Sequence, residues 1–303
     1  MNLSLLSYPL IVLLTVFRLI SSSVPAATAQ PNYDPPKPSA DFGTPEATAK
    51  IAANTQPLDI VGVKLGMSLK AAQDAVKAHN SSVTLTPQIT FEFEALPGTV
   101  MTPVYSGNGK TVNGGSESIG VLLTSAPNGA FVYGVWRDVW FGAKETRPTI
   151  DYIVTGLRKK YGQESVRDEN TLLLWLYDAQ KQQVMGAKAK DIWGKCANHW
   201  MTGAEYDPGN IQRQMARGYY TVNDGRDYHS GVCHSHSLVQ ARYSADQPQG
   251  ASQPLIMNVK VQASNRQLEA SGVTATNVLL TREAEKLAEK RKSEASKRAA
   301  PKF

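Results

Sequence analysis

The stretch Leu58-Asp59-Ile60-Val61-Gly62-Val63-Lys64-Leu65-Gly66-Met67-Ser68 switches from one periodicity to another. Its first part is a short β run that stops at Gly66, and Ser68 is a natural helix N-cap. From Ser68 the apolar residues Leu69, Ala71, Ala72, Ala75 and Val76 fall at offsets +1, +3, +4, +7 and +8. That spacing is one face of a helix, which runs to His79 and stops at Asn80. Thr149 repeats the arrangement with Ile150, Tyr152, Ile153, Gly156 and Leu157 at the same offsets. This second helix ends at Lys159-Lys160-Tyr161-Gly162, where basic residues and a glycine are favourable. The two caps stand 81 residues apart, which points to a duplicated unit.

Strand-like runs follow each helix. Val83–Leu85, Thr90–Leu96, Ser118–Ser125 and Ala130–Phe141 come after the first, separated by turn-rich pieces such as Ser106-Gly107-Asn108-Gly109. Thr171–Tyr177, Ser237–Tyr243 and Leu255–Ala263 come after the second. Runs bounded by Gly, Asn and Pro clusters read as antiparallel sheet. The expected class is therefore α+β, with helices packed on antiparallel sheets. Two tandem helix-then-sheet units are expected at 58–145 and 146–280, followed by a charged helical tail at 281–303.

Upstream, residues 30–57 are rich in Pro, Ala, Thr and Asn and are expected to form an extended, disordered leader. Before them, the apolar run Leu5–Phe17 is too short to span a hydrocarbon core, which takes ~20 helical residues. Pro25 and the triplet Ala27-Thr28-Ala29 follow, so residues 1–29 read as a secretory signal cleaved after Ala29. An uncleaved N-terminal anchor is the alternative, because Arg18 lies after the apolar core rather than before it. The expected location is the periplasm or the cell exterior.

Cleavage would remove Arg18 and no acid, leaving 31 Lys+Arg against 26 Asp+Glu. The tail Thr281–Phe303 holds eight basic and four acidic residues, so it supplies most of the excess. Nucleic-acid binding needs Lys and Arg clustered on a folded surface, so composition argues against it. The partner expected instead is a protein or another cell-envelope component, with weak contact of the basic tail to anionic surfaces.

The run Gly62-Val63-Lys64-Leu65-Gly66-Met67-Ser68, followed by a helix and then strands, is similar to the opening of many exported bacterial proteins of unknown function. It also resembles the entry of the helix-then-sheet modules in the outer-membrane assembly lipoprotein BamE and in β-lactamase-inhibitor protein. The BamE lipoprotein cysteine has no counterpart after Ala29. The resemblance carries over no site residue. It implies a binding or scaffold role without catalysis.

Cys196 and Cys233 are the only cysteines, and in an oxidising compartment they are expected to pair. Two further arrangements stay open. Cys196, His199, Cys233 and His236 form two C-x-x-H pairs, a ligand set that suits tetrahedral zinc. A hydrolase could instead use Cys196 or Cys233 as nucleophile, His229 or His234 as base and Asp207 or Asp227 to orient it. Gly107-Asn108-Gly109-Lys110-Thr111 resembles the end of a phosphate-binding loop, but the glycine required at 104 is Val104, so it reads as a hairpin loop. No cofactor is implied. The aromatic cluster Phe131, Tyr133, Trp136, Trp140 and Phe141 reads as sheet core, with sugar or peptide stacking as the exposed alternative. The expected function is an exported, non-catalytic binding or scaffold protein; the alternative is a hydrolase or zinc protein acting through 196–236.

Overall fold

The structure is a computed structural model that describes residues 43–93, 96–124, 129–168, 171–196, 233, 236–247 and 252–298. The opening run folds as a tight hairpin, β1 (Asp59–Ile60) against β2 (Val63–Lys64). Its turn residues Val61 and Gly62 both have positive φ, as a two-residue hairpin turn demands. Helix α2 (Leu69–His79) follows, with the Ser68 hydroxyl accepting from the Ala71 amide. Then come β3 (Thr86–Phe93), β4 (Leu96–Lys110), β5 (Ser116–Leu123) and β6 (Val132–Trp140). Helix α3 (Ile150–Tyr161), capped by Thr149, opens the second half. After it come β7 (Val166–Asp168), β8 (Leu172–Tyr177), helix α4 (Gly186–Cys196), β9 (Ser237–Asp246), β10 (Leu255–Asn265) and helix α5 (Arg266–Arg298).

Strands β3 to β10 make one antiparallel sheet in the order β3-β4-β5-β6-β10-β9-β8-β7. Each half opens with a helix and contributes four strands, with α4 inserted between β8 and β9 of the second, and the halves meet along their last strands, β6 against β10. Alternation in the strands then builds two cores. Ile119, Val121, Val135, Trp175, Val239 and Ala263 face α2, α3 and the β1–β2 hairpin. Leu122, Trp136, Leu174, Leu176 and Leu238 face the other way, against Ala52, Ala189, Ile192 and Leu268. The second cluster needs helices from three separate parts of the chain.

One of those is α1 (Pro45–Ala53), which lies inside the expected leader. Pro45 sits in the first helical turn, where its fixed φ and missing N–H are harmless, and Thr44 caps it. Thr48 and Ala52 are buried, and the Thr48 and Ser271 hydroxyls bond at 2.9 Å. The leader expectation therefore fails for 45–53, because a packing partner on α5 offsets the ordering entropy. The tail boundary also shifts: α5 is continuous from Arg266, and Leu268, Ala270, Val273 and Ala275 anchor its first half in the core.

Two strand expectations fail for local reasons. Ser106-Gly107-Asn108-Gly109 is not a turn but the body of β4, paired to Gly120, Ile119, Ser118 and Glu117. Its glycines are required by close approach, since a Cβ at Gly107 would overlap the Thr84 carbonyl. The turn lies instead at 111–115, so the segment is neither a phosphate loop nor a hairpin tip. Val83–Leu85 is no strand, although Val83 and Leu85 are buried under α2.

Candidate functional site

Helices cover the second face of the sheet over one half. On the other half, strand register lays out rows of side chains across four strands. Ser118 of β5, Asp138 of β6, Lys260 of β10 and Arg242 of β9 form one row. The next row outward is Ser116, Trp140, Asn258 and Ser244. The next inward is Gly120, Trp136, Gln262 and Gln240. Trp136 lies flat over Gly120, where any Cβ would overlap the indole, and is buried with Gln240 and Gln262. Trp140, four residues on, is 55% exposed. Arg242 and Ser244 are exposed, while Asp138, Asn258 and Lys260 are half-buried.

These rows have definite internal bonding. The Asn258 amide donates to Asp138 Oδ1 and, at 3.1 Å, to the Val139 carbonyl. Burial draws the Lys260 ammonium below the ordinary lysine range, the neighbouring Arg242 charge adds to that, and Asp138 opposes it. A broad surface carrying an indole, two cations, a carboxylate and amides can hold a partner by stacking, hydrogen bonds and charge. Among the described residues it holds no nucleophile–base pair.

The aromatic cluster splits. Phe131, Tyr133 and Trp136 pack into the second core and Phe141 into a third cluster with Val139, Tyr243 and Val259, as expected of core residues. Only Trp140 of the five is exposed.

Cys196 and Cys233 form a disulfide with Cα atoms 5.5 Å apart, and both are buried beside Leu238 and α4. Disulfide sulfurs are not thiolates, so in this state neither can ligate zinc or act as a nucleophile. His236 is buried at the start of β9, whereas His199, Asp207, Asp227, His229 and His234 lie outside the described residues. Among the described residues no group of three or more His, Cys, Asp or Glu side chains is placed to hold a metal.

Comparison with protein-family models, with curated proteins and with solved structures finds no match to this chain. Two further polar clusters lie away from this face. Glu117, only 3% exposed, accepts from Asn80 Nδ2 at 2.6 Å and Arg137 Nε at 2.7 Å, and lies 3.3 Å from His79 Nε2. Burial pushes this carboxyl up, but the hydrogen bonds from Asn80, Arg137 and His79 and the Arg137 charge outweigh burial and hold it below its usual range. The nearby Ser82 hydroxyl donates to Asn80 Oδ1. The cluster therefore pins the end of α2 to β5 and β6 and activates no nucleophile.

A polar cleft of about 210 Å³ opens between the end of α1, the turn after β8 and the start of α5, with Lys50, Gln56, Asp178, Lys181 and Gln267 in its lining. Asp178 Oδ1 is engaged by the Gln180 and Gln182 amides, which fix the turn. Among the described residues that line it there is neither histidine nor cysteine.

Sequence reasoning missed Asp138, Arg242, Asn258 and Lys260. The signal was present as polar residues alternating with Val239, Ala241 and Tyr243, and with Val259, Val261 and Ala263. Alternation shows that such residues share a strand face, but only register shows which cation meets which.

Proposed function

We propose that the protein is an exported, disulfide-stapled binding protein that recognises a protein or other cell-envelope partner, without covalent chemistry, on the open half of its second sheet face. One observation carries this. Helices α1, α4 and α5 cap the buried rows of that face, while the remaining rows present an exposed tryptophan beside two cations. Exposed tryptophan and arginine are the residue types that dominate binding energy at interfaces. The disulfide supports an oxidising compartment. The doubled helix-then-sheet topology supports kinship in role with BamE-like and inhibitor-like binding modules. No helix among the described residues is long and apolar enough to cross a membrane.

The experiment compares envelope extracts passed over the wild-type protein and over Trp140→Ala/Arg242→Ala. Loss of the captured partner, with an unchanged far-UV spectrum, is the expected result. Equal capture by the double variant would overturn the assignment of the face. Intact mass of the native protein addresses export, with a mature chain beginning at Gln30 expected.

A further inference from the structure

Lys260 of β10 and Arg242 of β9 stand directly opposite each other in the middle of the sheet. Like charges paired across neighbouring strands destabilise a sheet. On its other side Lys260 meets Asp138 in register, but an Asp138 oxygen is taken by the Asn258 amide. Among the described residues the Lys260 ammonium makes no hydrogen bond or ion pair. The lysine is also half-buried, so it loses hydration while facing another cation. Among the described residues the Asp138 charge returns part of that cost. A local rule broken without full compensation is where a functional site is expected.

We infer that Lys260 and Arg242 form a carboxylate-recognition site that takes one acidic side chain of an extended protein segment laid across β6, β10 and β9; this rests on the binding role proposed for that face. A carboxylate between the two cations offsets their repulsion and adds to the single anion, Asp138, that Lys260 meets among the described residues. The Nε and Nη2 of the exposed Arg242 guanidinium donate to the Gln240 side-chain oxygen, which orients the group, and its remaining N–H donors can add a charge-assisted hydrogen bond to a carboxylate. Charge selects the occupant. Two cations beside the Asp138 carboxylate leave a single positive excess, which suits one carboxylate, while Asp138 repels a doubly charged phosphate. Shape selects it as well, because open rows on a sheet accommodate an extended chain better than a small molecule that needs enclosure. Trp140, one row outward on β6, gives an exposed flat apolar surface for the partner's neighbouring side chain. Asn258 and Ser244 supply a polar rim in the same row.

The test is an amide-resolved NMR titration of the full mature chain with three probes: an eight-residue peptide of alternating Thr and Glu, its Thr-Gln counterpart, and inorganic phosphate. The Glu peptide is expected to shift amides around Asp138–Trp140, Arg242 and Asn258–Lys260, and to bind about tenfold or more tightly than the Gln peptide, as charged hydrogen bonds imply. Lys260→Met and Arg242→Gln should each weaken the Glu peptide by about tenfold. Lys260→Met removes a repelled, poorly hydrated cation, so its melting temperature should match or exceed the wild type and lost binding cannot be ascribed to unfolding. No shift at these strands, an unchanged Glu-peptide affinity in Lys260→Met, or phosphate shifting the same amides as strongly would each overturn the inference. If Trp140→Ala/Arg242→Ala loses the envelope partner while the Glu peptide leaves the face unshifted, the binding face stands and only the carboxylate assignment falls. If capture is unaffected by those substitutions, the binding-face reading itself falls.

Discussion

Replacing Glu117 tests whether one buried carboxylate ties α2 to the sheet. Its two oxygens receive Asn80 at 2.6 Å and Arg137 at 2.7 Å, with His79 at 3.3 Å. Breaking a buried charged pair from one side costs ~3–5 kcal/mol when the partner stays buried. Here the Arg137 and His79 side chains keep 31% and 29% exposure and can turn to water, so Glu117→Ala is placed at about 3 kcal/mol. Glu117→Gln keeps the shape and loses the charge, which is worth ~1.5–3 kcal/mol for a hydrogen bond to a charged group. Urea unfolding followed by tryptophan fluorescence reads both. With a slope near ~3 kcal/mol/M, Glu117→Ala should lower the midpoint by about 1 M.

The pH dependence has a fixed sign. The folded carboxyl lies below its ordinary value of 4.5, so its contribution is fully present above that value and is lost as pH falls through the folded value. The gap between wild type and Glu117→Gln should therefore be present at pH 5 and close in more acidic solution. Parallel stability curves from pH 7 to 3, or a cost below about 0.5 kcal/mol for Glu117→Ala, would refute the pin.

Three more outcomes follow from named residues. Cys196→Ser should cost about 4 kcal/mol, because the bridge spans a sequence separation of 37, and Cys196→Ser/Cys233→Ser should cost no more; intact mass with and without reductant checks the bond itself. Val61 holds φ at 51° with a β-branched side chain, so Val61→Gly should stabilise by up to about 1 kcal/mol in the same urea assay. Gly120→Ala should destabilise by ~1–3 kcal/mol by displacing the Trp136 indole, and Gly120→Ala/Trp136→Phe should recover part of that loss.

Local chemistry was enough wherever one segment carried its own signal. Ser68 and Thr149 are caps whose hydroxyls accept from Ala71 and Tyr152, and both helices follow the period read from their apolar residues. The antiparallel α+β class came from strand-like runs bounded by Gly, Asn and Pro clusters, and the cysteine pair from compartment logic. Segments whose order depends on a distant partner stayed hidden. Pro45–Ala53 is a helix because Thr48 and Ala52 have α5 and the second core to pack on, and nothing within residues 30–57 announces that contact. The glycines of β4 look like a turn until the 82–84 segment is placed against them. Asp138, Arg242 and Lys260 were visible only as polar positions 104 and 18 residues apart along the chain. Their meeting in one row depends on β6, β10 and β9 aligning in a single register. Side-chain periodicity is a property of one strand, whereas register is set by hydrogen bonds and buried rows shared between strands, so the tertiary structure alone decided which charges face each other.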